Sequence, residues 1–466
     1  MRNRSVRSAG LLIMTGLGAC SMAPQYRPPQ VTPPNSYREI AGWTPAAPMD
    51  AVARGDWWRV FNDTVLDDLE QKAEAASPTL AAALARYEQA RAVARAEASD
   101  LMPEIDADGS TSRRRVSGNR FQGNGQSVTY NDVSVGGSLD YELDLWGRIR
   151  NSVKAARADA QASKADLASA RLSLHAAVAD AYIRLRGLDA QADLLRRSVA
   201  AFDHAYKLTR TRHEGGIASG IDVNRAQTTL SNAKAQISAI ANQRAATEHE
   251  LAALTGALAS EFSVAPQVRT FGAPGVPTGT PSTLLERRPD IAAAERRMFA
   301  ANAQVGVARA AFFPTVTLGL SGGWETTHGN LLSTPSSFWG LGPLSAALNL
   351  FDGGRRRAQV RLSRAQYEEQ AAAYRDTVLS AFRQVEDGIA ALHNLAAQWH
   401  DQREAAQAAQ RTSGIALDRY RDGAADYLEV VTAQTDALDA QSALLEVEFD
   451  RARAHIGLVR ALGGPV

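Results

Sequence analysis

Cys20 is the single thiol in a chain of 466 residues, so it can neither close a disulfide within the chain nor build a cysteine-based metal site. What a lone thiol can still do is accept a covalent group. Other chemistry-bearing side chains are scattered. His393 and His400 stand seven apart on one helical face, a spacing that packing or solvent explains more simply than a metal. There is no HExxH, no GxSxG, no glycine-rich Lys-Ser/Thr phosphate loop and no carboxylate pair set for acid–base work. Asn62-Asp63-Thr64 spells a glycosylation sequon and Arg54-Gly55-Asp56 an adhesion tripeptide, both three-letter coincidences. Six methionines, two of them in the first twenty residues, offer no ladder for soft metals. The residues predict no catalytic site, no metal and no cofactor; an enzyme is the poorest reading.

The setting of Cys20 says which covalent group to expect. Arg2, Arg4 and Arg7 precede the apolar run Ala9–Gly18, a secretory signal too short to span a bilayer as a stable helix. Leu17-Gly18-Ala19-Cys20 resembles a bacterial lipobox, in which the thiol is acylated and becomes the mature N-terminus. Residues 1–19 are then signal peptide, and Cys20 carries palmitate or a similar lipid. Ser21 rather than Asp follows, which by the sorting pattern it resembles favours the outer membrane. Elsewhere no run of 18 apolar residues exists, so no transmembrane helix is expected. Residues 20–56 form a lipid-anchored arm rich in proline (Pro24, Pro28, Pro29, Pro33, Pro34, Pro45, Pro48), extended chain suited to a strap. Folded structure begins near Trp57-Trp58.

Lys and Arg number 51 against 50 Asp and Glu, and this balance leaves no electrostatic footprint for nucleic acid. Hydrophobic residues make up 45% but aromatics only 6%, and alanines number 87. Apolar mass in small side chains suits long, closely packed helices. The chain is also written twice. Pro78/Pro289, Arg86/Arg297 and Pro103/Pro314 lie 211 apart; Gly147-Arg148/Gly354-Arg355, Gly216/Gly423, Val223/Val430, Ala226-Gln227/Ala433-Gln434 and Gly256/Gly463 lie 207 apart. Tandem duplication divides the chain into repeats at 57–270 and 271–466.

Each repeat has the same order. A helical stretch (64–101, and 284–311) ends at a proline, and an alanine-poor block follows (hairpins about 104–146 and 314–351). A long helical hairpin then occupies 148–257, and 355–463, turning at Gly216 and Gly423. No proline interrupts 104–265 or 344–464, so the first helix of each hairpin is expected to run about 65 residues, on the order of 100 Å. Val378, Phe382, Val385, Ile389, Leu392, Ala396 and Trp399 follow the 4, 3, 4, 3 spacing of a coiled-coil seam. The alanine-poor blocks alternate instead. Val133, Val135, Gly137, Leu139, Tyr141, Leu143 and Leu145 interleave with a polar, largely acidic set, and Val316, Leu318, Leu320 and Trp324 do the same, with Leu344, Ala346, Leu348 and Leu350 in a partner strand. Trp146, Phe312, Phe313, Trp324 and Phe351 flank these runs as an aromatic girdle would. With an export signal in front, a membrane barrel is the preferred reading over a soluble sheet. Two hairpins give four strands, whereas a closed barrel needs at least about eight, so copies must assemble.

These features together resemble the TolC-like outer-membrane efflux factors, in the lipoprotein branch typified by OprM and NodT, over essentially the whole mature chain. The motifs that carry the resemblance are Cys20-x3-Pro24-x-Tyr26-x2-Pro29, Trp57-Trp58 with Leu66 and Leu69, and Glu286-Arg287-Arg288-Pro289-Asp290-Ile291 with Glu295. Phe351-Asp352-Gly353-Gly354-Arg355 and Tyr420-x2-Gly423-x3-Tyr427-Leu428 with Ala433-Gln434 complete the set. The resemblance implies a mainly α chain with four strands: an α-helical barrel plus a transmembrane β-barrel, twelve-stranded in a homotrimer, with Gly147 and Gly354 at the strand-to-helix exits. It implies the outer-membrane exit duct of a tripartite efflux system, lipid-anchored with a large periplasmic part. Its partners would be a periplasmic adaptor, an inner-membrane pump of the RND type and outer-membrane lipid, and its cargo drugs and other small molecules.

The resemblance also places a periplasmic gate at the helix-hairpin turns, with Tyr420, Leu428, Glu429 and Thr432 on the inner one. Leu428 matches a leucine that forms a constriction ring. Thr432 stands where the family usually has Asp, so the acidic ring moves to Glu429 or the gate rests on Leu428. Two alternatives share parts of this description, a type I protein-secretion duct of the same fold and a periplasmic adaptor lipoprotein without a barrel.

Overall fold

The computed structural model describes residues 21–28, 55–119, 125–272, 287–327 and 336–464. The signal segment, Cys20 and the arm from 29 to 54 lie outside the described residues. A short 3-10 turn (Trp57–Phe61) leads into α1 (Thr64–Ala76), α2 (Pro78–Ser99), β1 (Glu104–Val116), β2 (Val128–Glu142), α3 (Arg148–Glu214) and α4 (Gly220–Leu254). The order then repeats as α5 (Pro289–Ala310), β3 (Thr315–Thr326), β4 (Ser336–Ala347), α6 (Arg355–Arg421) and α7 (Tyr427–Ala461). Helices α3 and α6 are each 67 residues, and α4 and α7 each 35. Equal lengths in the two halves follow from the unchanging 207-residue offset of their sequences.

The first helical stretch departs from the expectation of one run from 64 to 101. Ser77 is extended (ψ 120°), and Pro78 opens a second helix. Proline suits that first helical position, where its missing N–H removes no intrahelical bond.

Close contacts divide the chain into two compact units. The first (Met1–Gln30, Arg86–Lys164, Ala293–Arg375) contains one antiparallel sheet in the order β1-β2-β3-β4. Its helices meet through Ala155, Ala158, Ala300 and Ala303, whose short side chains admit close backbone approach. A strap at residues 21–28 lies across them. Ser21 donates to Asn151 (3.0 Å), Asn302 donates to the Pro24 carbonyl (3.0 Å), and the Tyr26 hydroxyl donates to Glu295 (2.6 Å). Gly306 makes room for it, because a Cβ there would press on Ala23 at 2.8 Å.

The second unit (Val31–Ala85, Ala165–Ala292, Asp376–Val466) has an aromatic and aliphatic core around Trp58, Phe61, Leu66, Tyr182, Phe271 and Phe449. The buried charges of Asp63 and Arg186 there are compensated. Asp63 caps α1 at the Val65 (2.9 Å) and Leu66 (3.2 Å) amides while accepting the Tyr182 hydroxyl at 2.7 Å. Arg186, 1% exposed, donates to Tyr182 (3.0 Å), Asp189 (2.9 Å) and the Ala265 carbonyl (2.8 Å). Losing one member would strand the others in low dielectric. Of the heptad residues on α6, Val378, Val385 and Ile389 are buried, Phe382, Leu392 and Trp399 half-buried and Ala396 exposed, so one protomer covers its seam only in part.

Glu70 is fully buried, and its Oε1 has no hydrogen-bond partner among the described residues. Burial pushes its carboxyl up to about 7, against the pull of His175 at 2.7 Å and with a smaller push from Asp67 and Asp56. A raised carboxyl favours the folded state fully below the ordinary value near ~4.3 and loses that advantage as pH rises through about 7. Converting the shift gives a destabilisation of about 3 kcal/mol at pH 8. Glu70→Gln should therefore remove part of the decline in melting temperature between pH 5 and pH 8. Parallel melting curves for the two proteins across that range would refute the assignment.

Candidate functional site

In an antiparallel sheet, paired residues share a face and alternate residues point to opposite faces. Ile105 pairs with Leu139, Leu139 with Leu320, and Leu320 with Leu341, so one apolar row crosses all four strands. Val135 and Trp324 pair on the same face, as do Leu318 and Leu344. Of these, Leu139 and Leu318 are half-buried and the rest solvent-exposed in the single chain, Ile105 to 75%, and Trp339, opposite Gly322 on the same face, is exposed to 82%. An apolar patch of this breadth calls for a cover. The opposite face is polar and acidic: Glu104 pairs with Asp140, Asp106 with Ser138, Ser112 with Asp132, and Ser134 with Glu325. Among the described residues both edge strands, β1 and β4, have a sheet neighbour on one side alone. Among the described residues no helix is long and apolar enough to cross a membrane.

Two features of the sheet are not legible from alternation. Leu341 and Leu344 share a face although three apart, because the register shifts between Leu318 and Leu320, opposite Pro343, which has no N–H for a ladder. Phe338 lies on the acidic face. Its ring covers two glycines, standing 3.3 Å from where a Cβ of Gly136 would be and 3.0 Å from that of Gly323. The facing doublets Gly136-Gly137 and Gly322-Gly323 were the available signal. Trp146, one of the expected girdle residues, has a fixed partner in another of them. It stacks on Phe313 (4.7 Å) and donates its indole N–H to the Pro314 carbonyl (2.8 Å), joining the two repeats below the sheet.

The strand-to-helix exits reach one solution at two spacings. Gly147 (φ +75°) and Gly354 (φ +91°) take the left-handed turn that other residues resist. Asp144 accepts the Arg150 amide (2.8 Å) and its guanidinium (3.0 Å), capping α3. Asp352 does the same for α6 with the Arg356 amide (3.2 Å) and guanidinium (2.6 Å), which holds its carboxyl below the ordinary range. Arg148 adds a bidentate pair to Glu142 at 2.9 and 2.7 Å.

At the far ends of the long helices the hairpin turns match as well. Gly216 (φ +76°) and Gly423 (φ +80°) let the following amides, of Ile217 and Ala424, return to the Arg212 and Arg419 carbonyls, both at 2.8 Å. Ser219 and Asp222 form a capping box on α4, and Asp426 accepts the Glu429 amide (3.0 Å) on α7. Tyr420, 3% exposed, joins the two turns. Its hydroxyl donates to Thr209 (3.1 Å), its carbonyl accepts from Arg212, and the Arg212 guanidinium sits 4.5 Å from its ring centre. Tyr427 packs edge-on at 6.0 Å, and burial pushes its hydroxyl up to about 12. Leu428 and Thr432 are instead exposed, and Glu429 pairs with Arg419 at 3.0 Å. The sequence reading missed Arg212 and Arg419. They are repeat equivalents, 207 apart, turned to different tasks. His393 is exposed on α6, and His400 faces Glu404 at 3.6 Å.

Comparison with known proteins agrees with this arrangement. The family described as outer membrane efflux protein matches twice, at residues 69–257 and 280–464. The probable efflux pump outer membrane protein TtgC of Pseudomonas putida is 32% identical over 96% of this chain and 93% of its own length. The outer membrane protein OprJ of Pseudomonas aeruginosa is 32% identical over 100% of this chain and 97% of its own. The solved outer-membrane channel OprN superposes with a TM-score of 0.86 at 28% identity, covering 96% of this chain and 99% of that one. Apolar and acidic sheet faces, 67-residue helices and duplicated turns thus occur in a chain that belongs to the outer membrane efflux protein family, a non-enzymatic exit duct of efflux systems in the outer membrane.

Proposed function

We propose that three copies of this chain close a twelve-stranded barrel, with the apolar face toward lipid and the acidic face lining the bore. The observation that carries this reading is the apolar row Ile105–Leu139–Leu320–Leu341, which runs from one unpaired edge to the other. Unpaired backbone in hydrocarbon costs several kcal/mol per group, and pairing β4 of one copy with β1 of the next removes it. Residues 1–19 are removed on export, Cys20 carries the lipid, and the repeats divide at 270/271. The duct meets a periplasmic adaptor and an inner-membrane pump of the RND type, and relatives named for antibiotic and toluene efflux support small-molecule cargo. The turns around Gly216 and Gly423 form the periplasmic gate, with Leu428 as its apolar constriction and Thr432 beside it.

Planar-bilayer conductance of the detergent-purified, crosslinked protein tests the assembly. A trimer giving small, cation-selective, mostly closed currents is expected; a monomer giving none would overturn the closed barrel. Two variants test the sites. Glu429→Gln should lower the preference for cations, and unchanged selectivity would assign the gate to Leu428 alone. Cys20→Ser should abolish incorporation of labelled palmitate, whereas retained label would place the lipid elsewhere.

A further inference from the structure

Along β1 the residues on the apolar face are Ile105, Ala107, Gly109, Thr111, Arg113 and Arg115, fixed by pairing with Leu139, Gly137, Val135, Val133, Asn131 and Thr129. The apolar band on β2 runs from Tyr141 to Val133, eight residue steps. That is about 26 Å along the strand and about 20 Å along the membrane normal at a 40° tilt, most of the ~25 Å apolar band of an outer-membrane barrel. Arg113 and Arg115 begin where the band ends, at the end of the hairpin remote from the helices, and all of Arg113–Arg115 is exposed. Arg115 donates to Ser127 (3.0 Å), and neither Arg113 nor Arg115 has a carboxylate on its own face of the hairpin among the described residues. By sequence, 117–127 contains no Asp or Glu. Arg114, between them, points to the acidic face with its partner Tyr130.

Resting on the reading of this sheet as barrel wall, we propose that Arg113 and Arg115 form a binding site for the phosphate groups of lipid A, the glycolipid of the outer leaflet. Residues two apart on a strand have backbones about 7 Å apart and side chains on one face, so both guanidiniums stand on the lipid side at headgroup depth. Each offers a planar fork of donors that matches a phosphate monoester, a match an ammonium does not provide. No acidic neighbour on that face competes. In the trimer the site recurs three times around the rim, on the strand that forms the joint between copies, so lipid A bound there would seat against the seam of the barrel.

Native mass spectrometry of the purified full-length channel with bisphosphorylated lipid A, its dephosphorylated form and phosphatidylglycerol tests this, with conductance measured on the same preparations. Wild type is expected to bind the bisphosphorylated lipid roughly tenfold more tightly than the Arg113→Ala/Arg115→Ala variant, with conductance equal in the two and with lipid binding unchanged in Arg114→Ala, whose side chain faces the bore. Arg113→Lys/Arg115→Lys, which keeps the charge and loses the fork, should fall between. Equal binding by the double alanine variant, equal binding of dephosphorylated lipid A, or equal binding of phosphatidylglycerol would each overturn the site. If wild type conducts and binding is unaltered in the variants, the lipid site falls and the duct stands. If wild type does not insert, both fall together.

Discussion

Arg212→Ala is expected to raise the mean conductance of the reconstituted channel on the order of tenfold or more, through loss of a charge-assisted hydrogen bond of about 1.5–3 kcal/mol and a cation–π contact of about 0.5–1 kcal/mol. Both contacts go to Tyr420: Arg212 donates to its carbonyl and lies over its ring at 4.5 Å. Together with the Tyr420 hydroxyl on Thr209, they hold the α6–α7 turn to the end of α3. Every 1.4 kcal/mol lost from the closed state moves the open-to-closed ratio about tenfold. Arg419→Ala makes the control. It occupies the same place in the other repeat but pairs with Glu429, so its removal should increase cation preference and leave open probability near wild type. If the Arg212 variant stays as closed as wild type in single-channel records, the Tyr420 contacts do not hold the gate.

The second large effect is on stability. Gly256 ends α4 at φ +72°, and a Cβ there would collide with the Ala76 carbonyl oxygen at the end of α1. A β-branched residue meets both problems at once, the left-handed backbone and the collision. Gly256→Val should cost about 4 kcal/mol, at the severe end for a single substitution. Gly256→Asn separates the two contributions, since asparagine tolerates the backbone but not the collision. The equivalent glycine in the second repeat, Gly463, has φ +84° and would place its Cβ 3.0 Å from the Arg287 carbonyl, a contact that small shifts relieve. Gly463→Val should therefore be milder by about 1–2 kcal/mol. Equal melting temperatures for Gly256→Val and wild type would show that α1 moves aside freely.

How much of this was legible follows from what periodicity measures. Long helices advertise themselves through uninterrupted spacing and missing proline, so α3 and α6 were expected nearly to the residue. The 207-residue offset identified both turns but is blind to divergence of tasks: it pairs Arg212 with Arg419 and says nothing of one reaching Tyr420 and the other Glu429. Alternation located β2 and β3 but placed the partner strand too late, at Leu344 to Leu350, whereas β4 ends at Ala347 and begins at Ser336, ahead of the slip beside Pro343 that puts Leu341 and Leu344 on one face. A period-2 rule has no term for a register shift. Phe338 was invisible for a related reason, since an aromatic on the acidic face breaks the pattern unless the glycines beneath it are known. Trp146 belonged to a composition class, the interfacial aromatics, but its stacking on Phe313 is set by a residue 167 positions away.

The strap at residues 21–28 has a consequence for the order in which the molecule is made. Tyr26 reaches Glu295 across 269 positions, Asn302 reaches Pro24 across 278, and Gly306 supplies the groove for Ala23. The start of the chain is exported first, yet its docking surface on α5 comes from the second half of the sequence. Until α5 has crossed and folded, the strap has Asn151 on α3 to bind but none of its α5 partners, and closing so long a loop is slow. The beginning of the polypeptide is thus among the last parts to find its place, a late latch on a body already built.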